Sequence, residues 1–512
     1  MNYARPAALA TGSFASFYLY NFDDSFNRTL RFYSVAVPAY LHYELVDKYT
    51  RSKSPKVRDE MFDKLHNYYS PIMHSHVLKM RGFFLKAAQL MSIREDYLPP
   101  QYLEWTTKMQ SEAPVVFSGD EARSIIESEF AIGEKVWSEI FSDFNPVPIG
   151  SASIGQVYKA RLRSSGEWIA IKVQSPNVES QFRADLKACK AFCQIALPHL
   201  VVSLEEIERQ FLTEFDYQLE AKNLDEIRNN LLAFWSSKIV IPKPFLDLCT
   251  KRVLVMEFIP GRKVSEIFSE YIQDLAEKNG MTTTEMKSIL RDQLMKQGLS
   301  HTEWRRWSER LVGWVSTTLY FLSFGLYRRE KIFDTVSLLE TAMKVHGHQI
   351  FVNQTFNGDP HPGNILLTPD GKLGLIDFGQ VKRLPEDITE KFAHLVIALN
   401  EDDRELVCRI AQEIGCENKY NIPDIVWRLT AFWMDRDTPD VTLGMDIHKF
   451  LEEMERQDPQ QTLCQDLVMV GRCSVMLRSL GLSLGLRVRT TDFWRSYAED
   501  FLAKRNGRKK LD

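Results

Sequence analysis

The chain has 512 residues, 44% hydrophobic and 26% charged, the composition of a globular protein with room for two or three packed units. A formal net charge of −4 gives no footprint for nucleic acid. Seven cysteines, an odd number without paired spacing, argue against a disulfide framework and fit a reducing interior.

Residues 1 to about 70 are aromatic-rich and read as irregular, with Arg5 and no acidic residue before Asp23. An organellar presequence and an ordinary N-terminal segment fit this text equally, because arginine is sparse and no amphipathic stripe is clear. Residues 71–140 read as a helical extension, carrying Lys86-Ala87-Ala88-Gln89, then Ser92, Arg94, Tyr97-Leu98-Pro99 and Gln110.

A small lobe is expected over 141–260. Its first element, Pro148-Ile149-Gly150-Ser151-Ala152-Ser153-Ile154-Gly155-Gln156-Val157-Tyr158-Lys159-Ala160, fits a strand-turn-strand whose small residues let a backbone approach phosphates. It is not a G-x-G-x-x-G loop, and Ala and Ser make it stiffer than a run of glycines. Trp168-Ile169-Ala170-Ile171-Lys172-Val173 is an alternating strand with the V-A-I-K pattern, in which the lysine contacts the α/β-phosphates of a nucleotide. Cys189 and Cys193, four apart on a predicted helix, find no His or third Cys to complete a metal set and read as apolar filler. Glu214 and Glu220 both qualify as acidic partners for Lys172; six residues apart, they do not share a helical face. Asp216 between them reads as a solvated helix residue. Leu254-Val255-Met256-Glu257-Phe258-Ile259-Pro260-Gly261 reads as a buried strand entering a turn, where an adenine would meet the backbone.

The large lobe, 261–512, is predicted to be mainly helical, with an insertion at about 262–334. Within it, residues 311–327 carry no charge and are flanked by Arg305, Arg306, Arg310 and by Arg328, Arg329, Lys331. These 17 residues sit at the lower limit for crossing a bilayer, are diluted by Gly, Ser and Thr, and have cations on both sides. They read as a buried or interfacial helix, with a membrane-surface role open.

Asp359-Pro360-His361-Pro362-Gly363-Asn364 comes next, and Asp377-Phe378-Gly379 follows, so that Asn364 and Asp377 stand 5 and 18 residues after Asp359. That is the spacing of a kinase catalytic loop and its magnesium-binding DFG. The intervening residues read as two apolar strands joined by Pro369-Asp370-Gly371, a hairpin that sets Asn364 and Asp377 on opposite sides of one metal site. Phosphoryl transfer asks little covalent work of a protein, so a carboxylate and an amide oxygen holding Mg²⁺ on the phosphates suffice. Asp359 is the candidate base or hydroxyl-orienting carboxylate. After Gly379 the chain enters helical text without an A-P-E segment or room for an activation loop. Asn357-Gly358 replaces H-R, and His361 occupies the position where protein kinases carry Lys, a loop also resembling aminoglycoside and choline kinases. An ordinary protein kinase is thereby disfavoured. Residues 460–486 and 491–504 read as terminal helices, and the basic tail 504–510 as a solvated end.

These residues together resemble the AarF/UbiB (ABC1-type) atypical kinase family linked to coenzyme Q biology, over most of the chain from Leu85 onward. Residues 151–157 resemble its alanine-rich nucleotide loop, 214–223 its ExD helix, and 359–364 match its D-P-H-P-G-N loop residue for residue. Lys86 to Gln89 resembles its K-x-G-Q motif, with Ala88 in place of glycine. The resemblance implies an α+β, bilobal protein-kinase-like fold with the extension folded over the active site. It implies catalytic roles for Asp359, Lys172, Lys86, Gln89, Glu214 and Glu220, one glutamate pairing Lys172 and the other meeting Lys86. ATP would be met by Ile149, Gly150, Ser151, Ala152, Ser153, Val157, Lys172, Glu257 and Phe258, and Mg²⁺ by Asn364 and Asp377.

The expected activity is that of an ATPase or small-molecule phosphotransferase. It would support quinone or lipid metabolism at an organelle membrane, mitochondrial or alternatively plastid or cytoplasmic. Lipid or quinone precursors and quinone-biosynthesis proteins are the expected partners, and nucleic acid is not. A non-catalytic, nucleotide-gated lipid-binding or scaffolding protein is the alternative.

Overall fold

The computed structural model describes residues 24–93, 99–111, 117–130, 134–151, 154–198, 201–283, 285–286, 289, 334–445, 447–462 and 464–508. The chain packs as two compact units, one formed by Met1–Ala221 with Pro244–Phe258 and the other by Lys222–Lys243 with Ile259–Asp512.

The described part of the first unit begins with helices rather than the irregular chain expected before residue 70: α1 (Asp24–Thr50) and α2 (Pro55–Met80). Pro55 stands in the first turn of α2, where its missing N–H is not needed, and Ser54 Oγ accepts from the Val57 N–H. The aromatic text is core. Ala39, Val46, Leu65 and Tyr69 are buried, with Tyr43, Met61, Phe62, Ile72 and Met73 packed on them. Tyr43 Oη lies 2.8 Å from His66 Nδ1 and 3.1 Å from Tyr102 Oη. Because polar-tipped rings supply much of this contact face, the helices lack the apolar stripe by which sequence reading finds them. Arg28 fastens α1 to the later helix α7 through Asp185, at 3.0 and 2.5 Å.

The extension continues as α3 (Gly82–Ile93), α4 (Pro100–Ser111), α5 (Gly119–Phe130) and α6 (Glu134–Ile140). A capping box opens α5: Ser118 N donates to Glu121 Oε2 at 2.7 Å and Glu121 N to Ser118 Oγ at 3.2 Å. Then come β1 (Phe141–Phe144), β2 (Gly150–Ser151), β3 (Gly155–Leu162) and β4 (Trp168–Gln174). Helices α7 (Val178–Ala196), α8 (Val201–Leu212) and α9 (Tyr217–Trp235) follow, with α9 preceded by a 3-10 turn at Thr213–Phe215. After β5 (Ile239–Val240), which belongs to the second unit, β6 (Val253–Glu257) completes an antiparallel sheet of order β1-β3-β4-β6, with β2 paired to β3. Every residue of β4 from Ile169 to Gln174 is buried, as befits a central strand covered on both faces. Cys189 and Cys193 are buried on α7, the filler role expected of them.

The second unit contains β7 (Arg262–Lys263), α10 (Val264–Lys278), the largely buried α11 (Thr335–Phe351), β8 (Thr355–Asn357), β9 (Ile365–Leu367), β10 (Leu373–Leu375) and β11 (Val381–Arg383). The expected hairpin β9–β10 forms, with Leu367 opposite Leu373 and Ile365 opposite Leu375. Gly371 closes it at φ +82°, a conformation that strains any residue with a Cβ. The remainder is mainly helical: α12 (Glu386–Asn400), α13 (Arg404–Glu413), α14 (Pro423–Met434), α15 (Pro439–Thr442), α16 (Ile447–Gln457), α17 (Gln465–Ser483) and α18 (Thr491–Arg508). The terminal helix over 491–504 is as expected. The helix over 460–486 begins late, because Gln460–Thr462 forms a short strand (β13) against Glu417–Asn418 (β12). Among the described residues no helix is long and apolar enough to cross a membrane. The apolar stretch 311–327 lies outside the described residues.

Candidate functional site

The first unit supplies the candidate phosphate lysine. Side chains alternate along a strand, so Val157 on β3, Ala170 and Lys172 on β4, and Leu254 and Met256 on β6 share one face, with Lys172 opposite both Val157 and Leu254. Lys172 is buried, and its Nζ donates to Glu220 Oε1 at 2.8 Å and Oε2 at 3.0 Å. Its ammonium also lies 5.0 Å from the centre of the Tyr217 ring.

Glu214 makes the other pairing, with Lys86 Nζ at 3.0 Å, while the Phe211 ring centre stands 4.8 Å from that ammonium. The choice the sequence left open is thus resolved by backbone. Glu214 belongs to the 3-10 turn and Glu220 to the first turn of α9, and the extended residue Asp216 between them turns the two carboxylates to different lysines. Asp216 is not simply solvated: its Oδ1 accepts from Leu219 N at 3.0 Å and caps α9. Gln89 lies on α3, but its side chain is outside the described residues.

The small-residue turn is a hairpin, Gly150 opposite Val157 and Ser151 opposite Gln156, with Ile149 N donating to Val157 O at 2.8 Å. Ala152 and Ser153 lie outside the described residues. Gly155 is required here: a Cβ would stand 2.4 Å from Val173 O and 2.6 Å from Tyr217 Oη. Gln156, fully buried, behaves as a short piece of strand. Its Oε1 accepts from Phe117 N at 3.2 Å and its Nε2 donates to Phe117 O at 2.9 Å, joining this turn to the segment that leads into α5. At the far end of β6, Phe258 N donates to Trp168 O at 3.0 Å, which commits that N–H within the sheet. Lys159 lies over both the Trp168 and Phe258 rings, at 4.3 and 4.4 Å.

The second unit supplies the candidate carboxylates. Asn364 ends a 3-10 turn (Pro362–Asn364) immediately before β9, and Asp377 follows β10, so both stand at the open end of one hairpin, where Ile376 N donates to Asn364 O at 3.3 Å. His361 makes this turn: its Nδ1 accepts from Gly363 N at 3.0 Å, and its carbonyl accepts from Asn364 N at 2.8 Å. Asp377 Oδ1 accepts from Gly379 N at 3.1 Å. Among the described residues no set of three His, Cys, Asp or Glu side chains converges as a metal cage. The Asn364 carboxamide has no hydrogen-bond partner among the described residues. An amide oxygen and a carboxylate without further protein ligands fit Mg²⁺, a hard ion that keeps water and substrate phosphate in its remaining positions.

Sequence reading missed the group that faces Asp359. Arg472 on α17 reaches to 3.3 Å of Asp359 Oδ1 and donates to Gln380 Oε1 at 2.9 Å. No spacing rule links Arg472 to the catalytic-type loop; helix packing alone brings it there. It also supplies a cation beside Asp359 where the loop itself carries His361 rather than Lys.

Comparison with known proteins finds relatives of this chain. A family model described as an ABC1 atypical kinase-like domain matches residues 108–411. The chloroplastic protein ACTIVITY OF BC1 COMPLEX KINASE 3 of Arabidopsis thaliana is 29% identical over 329 residues, 62% of this chain and 37% of that protein. The probable protein kinase UbiB of Aeromonas hydrophila subsp. hydrophila is 28% identical over 344 residues, 65% of this chain and 51% of that protein. The chain therefore spans only about a third to a half of the length of these relatives. Among solved structures, the complex of Rv3197 with erythromycin from Mycobacterium tuberculosis is similar at a TM-score of 0.46 and 20% identity, covering 87% of this chain and 98% of that one. With a matched family domain over more than half its length and an α+β, kinase-like architecture, the chain belongs to the ABC1 (AarF/UbiB) atypical kinase-like family.

Proposed function

We propose that this chain binds Mg²⁺-ATP and works as an ATPase or small-molecule phosphotransferase supporting quinone or lipid metabolism at an organelle membrane. The observation that carries this reading is the hairpin end where Asn364 and Asp377 stand together, with Asp359 on the loop before it. Bound there, Mg²⁺ would neutralise phosphate charge as the transferred group loosens from its leaving oxygen. In the family's pattern the lysine at the position of Lys172, here held by Glu220, contacts nucleotide phosphates, and the β2–β3 turn corresponds to the nucleotide loop. Asp359 would orient the attacking hydroxyl or water. Arg472 stands 3.3 Å from its Oδ1 and holds the carboxylate in place, so orientation is the contribution this geometry supports. The loose transition state of phosphoryl transfer asks for no more.

The names of the Aeromonas and Arabidopsis relatives, UbiB and a chloroplastic kinase, support the quinone setting and favour a plastid over a mitochondrion. A second reading, a nucleotide-gated lipid-binding or scaffolding protein without turnover, is favoured by one observation. Lys86 of the extension is already held by Glu214 at 3.0 Å, so the extension is locked onto the unit that carries Lys172.

The deciding experiment measures phosphate release from Mg²⁺-ATP with and without liposomes, using Asp359→Asn as the control. Turnover lost in the variant while nucleotide binding persists supports the enzyme. Unchanged turnover in Asp359→Asn refutes it, and lipid association with ATP binding but no turnover in either protein establishes the second reading.

A further inference from the structure

The side chain of one residue in the second unit binds both the Asp359 loop and the Asp377 turn, and neither the motif spacing nor the family match assigns it a role. Asn357, at the end of β8, is 8% exposed. Its side-chain Nδ2 donates to the Asp377 main-chain carbonyl at 2.8 Å, and its Oδ1 accepts from the Asp359 N–H at 3.0 Å. Its own N–H is taken by Gln349 Oε1 at 2.8 Å, and its carbonyl accepts from Cys473 Sγ at 3.3 Å. Gln349 belongs to the buried helix α11, and Cys473 sits on α17 beside Arg472. A second clasp runs alongside, since Gly358 N donates to Gln380 O at 2.7 Å and Asn357 lies opposite Val381 in the β8–β11 pair.

We propose that Asn357 is a positioning residue that holds the Asp359 loop and the Asp377 turn in fixed register, so that the two carboxylates act on one bound Mg²⁺-nucleotide. The proposal rests on the nucleotide reading above. Its chemistry is specific to a carboxamide. One planar group must donate to a carbonyl on one side and accept from an N–H on the other, at constant charge. A carboxylate can accept from Asp359 N–H but would face the Asp377 carbonyl with like partial charge. An apolar side chain would leave a buried N–H and a buried carbonyl unpaired. Because α11 and α17 grip the main chain of Asn357 from two sides, the side chain has little freedom to drift, which is the requirement for a supporting residue behind a reacting group. Asn357 acts through Asp359 and Asp377, the two groups its side chain binds.

The test uses the full chain and a fluorescent ATP analogue, titrated with and without Mg²⁺, beside the melting temperature of the nucleotide-free protein and phosphate release. Asn357→Asp keeps the Asp359 arm and loses the Asp377 arm. Asn357→Ser, a small residue whose hydroxyl can cap Asp359 N–H without reaching Asp377, is the second variant should the first not fold. Both are expected to raise the Mg²⁺ concentration that half-saturates nucleotide binding by 10-fold or more while Mg²⁺-free binding changes little; the melting temperature falls in both, because the Asp377 carbonyl loses its donor. A purely structural role would weaken binding equally with and without Mg²⁺, leaving the Mg²⁺ midpoint in place; that result overturns the proposal. A wild-type protein whose nucleotide binding ignores Mg²⁺ overturns the nucleotide reading itself, and the role of Asn357 falls with it.

Discussion

The Lys172–Glu220 pair offers the sharpest quantitative test, because both side chains are nearly sealed, at 10% and 4% exposure. At a separation of about 3 Å and an effective dielectric of about 20, their attraction is about 5 kcal/mol, and desolvation of the two ions offsets most of it. The intact pair therefore adds little net stability, but either charge left alone is costly. Glu220→Gln keeps an acceptor and leaves Lys172 beside the Tyr217 ring, which returns only about 0.5–1 kcal/mol, so a loss of about 3 kcal/mol is expected. Lys172→Met strands the carboxylate and should cost a similar ~3 kcal/mol. The double variant removes both charges and should cost about 1–2 kcal/mol, giving a coupling of roughly 4–5 kcal/mol in a double-mutant cycle. For a unit of this size each single change corresponds to a fall of roughly 6–12 °C in melting temperature, with the double variant recovering about half of it. Differential scanning calorimetry on the four proteins measures this. Additive single effects would show that the two charges do not depend on each other and would refute the reasoning.

Two further outcomes follow from buried polar groups. His346 on α11 is fully enclosed, and burial pushes its pKa down to about 4 from 6.5. In the unfolded chain it takes up a proton as the pH falls below 6.5, while the folded form resists until about 4. Folding stability from this residue is therefore present above pH 6.5 and lost toward pH 4, about 3 kcal/mol in all. Urea unfolding of His346→Gln between pH 7.5 and 5 should show a shallower pH dependence than the wild type, and an identical slope would contradict it. In the first unit, Gln156→Leu should leave the Phe117 N–H buried without its partner and its C=O with only the Tyr158 hydroxyl at 3.5 Å, costing about 2 kcal/mol, and should speed amide exchange at Phe117 at least 10-fold. Unchanged protection at Phe117 would show that the Gln156 clasp does not hold that segment.

What was legible in the sequence was local. The interval between Asp359, Asn364 and Asp377 is set by one short turn and one hairpin, and Pro369-Asp370-Gly371 announces that hairpin because Gly371 needs a positive φ. The alternation of β4, with Lys172 on the face of Ala170, is likewise written in a two-residue period. The helices α1 and α2 were hidden, since Tyr43, His66 and Tyr69 do in their interface what leucines do elsewhere, and hydropathy patterns count them poorly. The assignment of Glu220 to Lys172 and Glu214 to Lys86 needed the 3-10 turn between them, whose direction depends on packing rather than on propensity.

Arg472 and Asn357 mark the same boundary from the other side. Asn357 lies two residues before Asp359 and was noticed only as a departure from a motif, because its partners Gln349, Asp377 and Cys473 come from separate elements. Arg472 meets Asp359 across more than a hundred residues of chain. The sequence by itself determined the chemical groups and their short-range spacing, because turns and strand pleats are governed by nearby residues. Only the tertiary structure decided which charges pair and which carboxamide pins the loops, because burial and long-range packing select among partners that local geometry leaves equivalent.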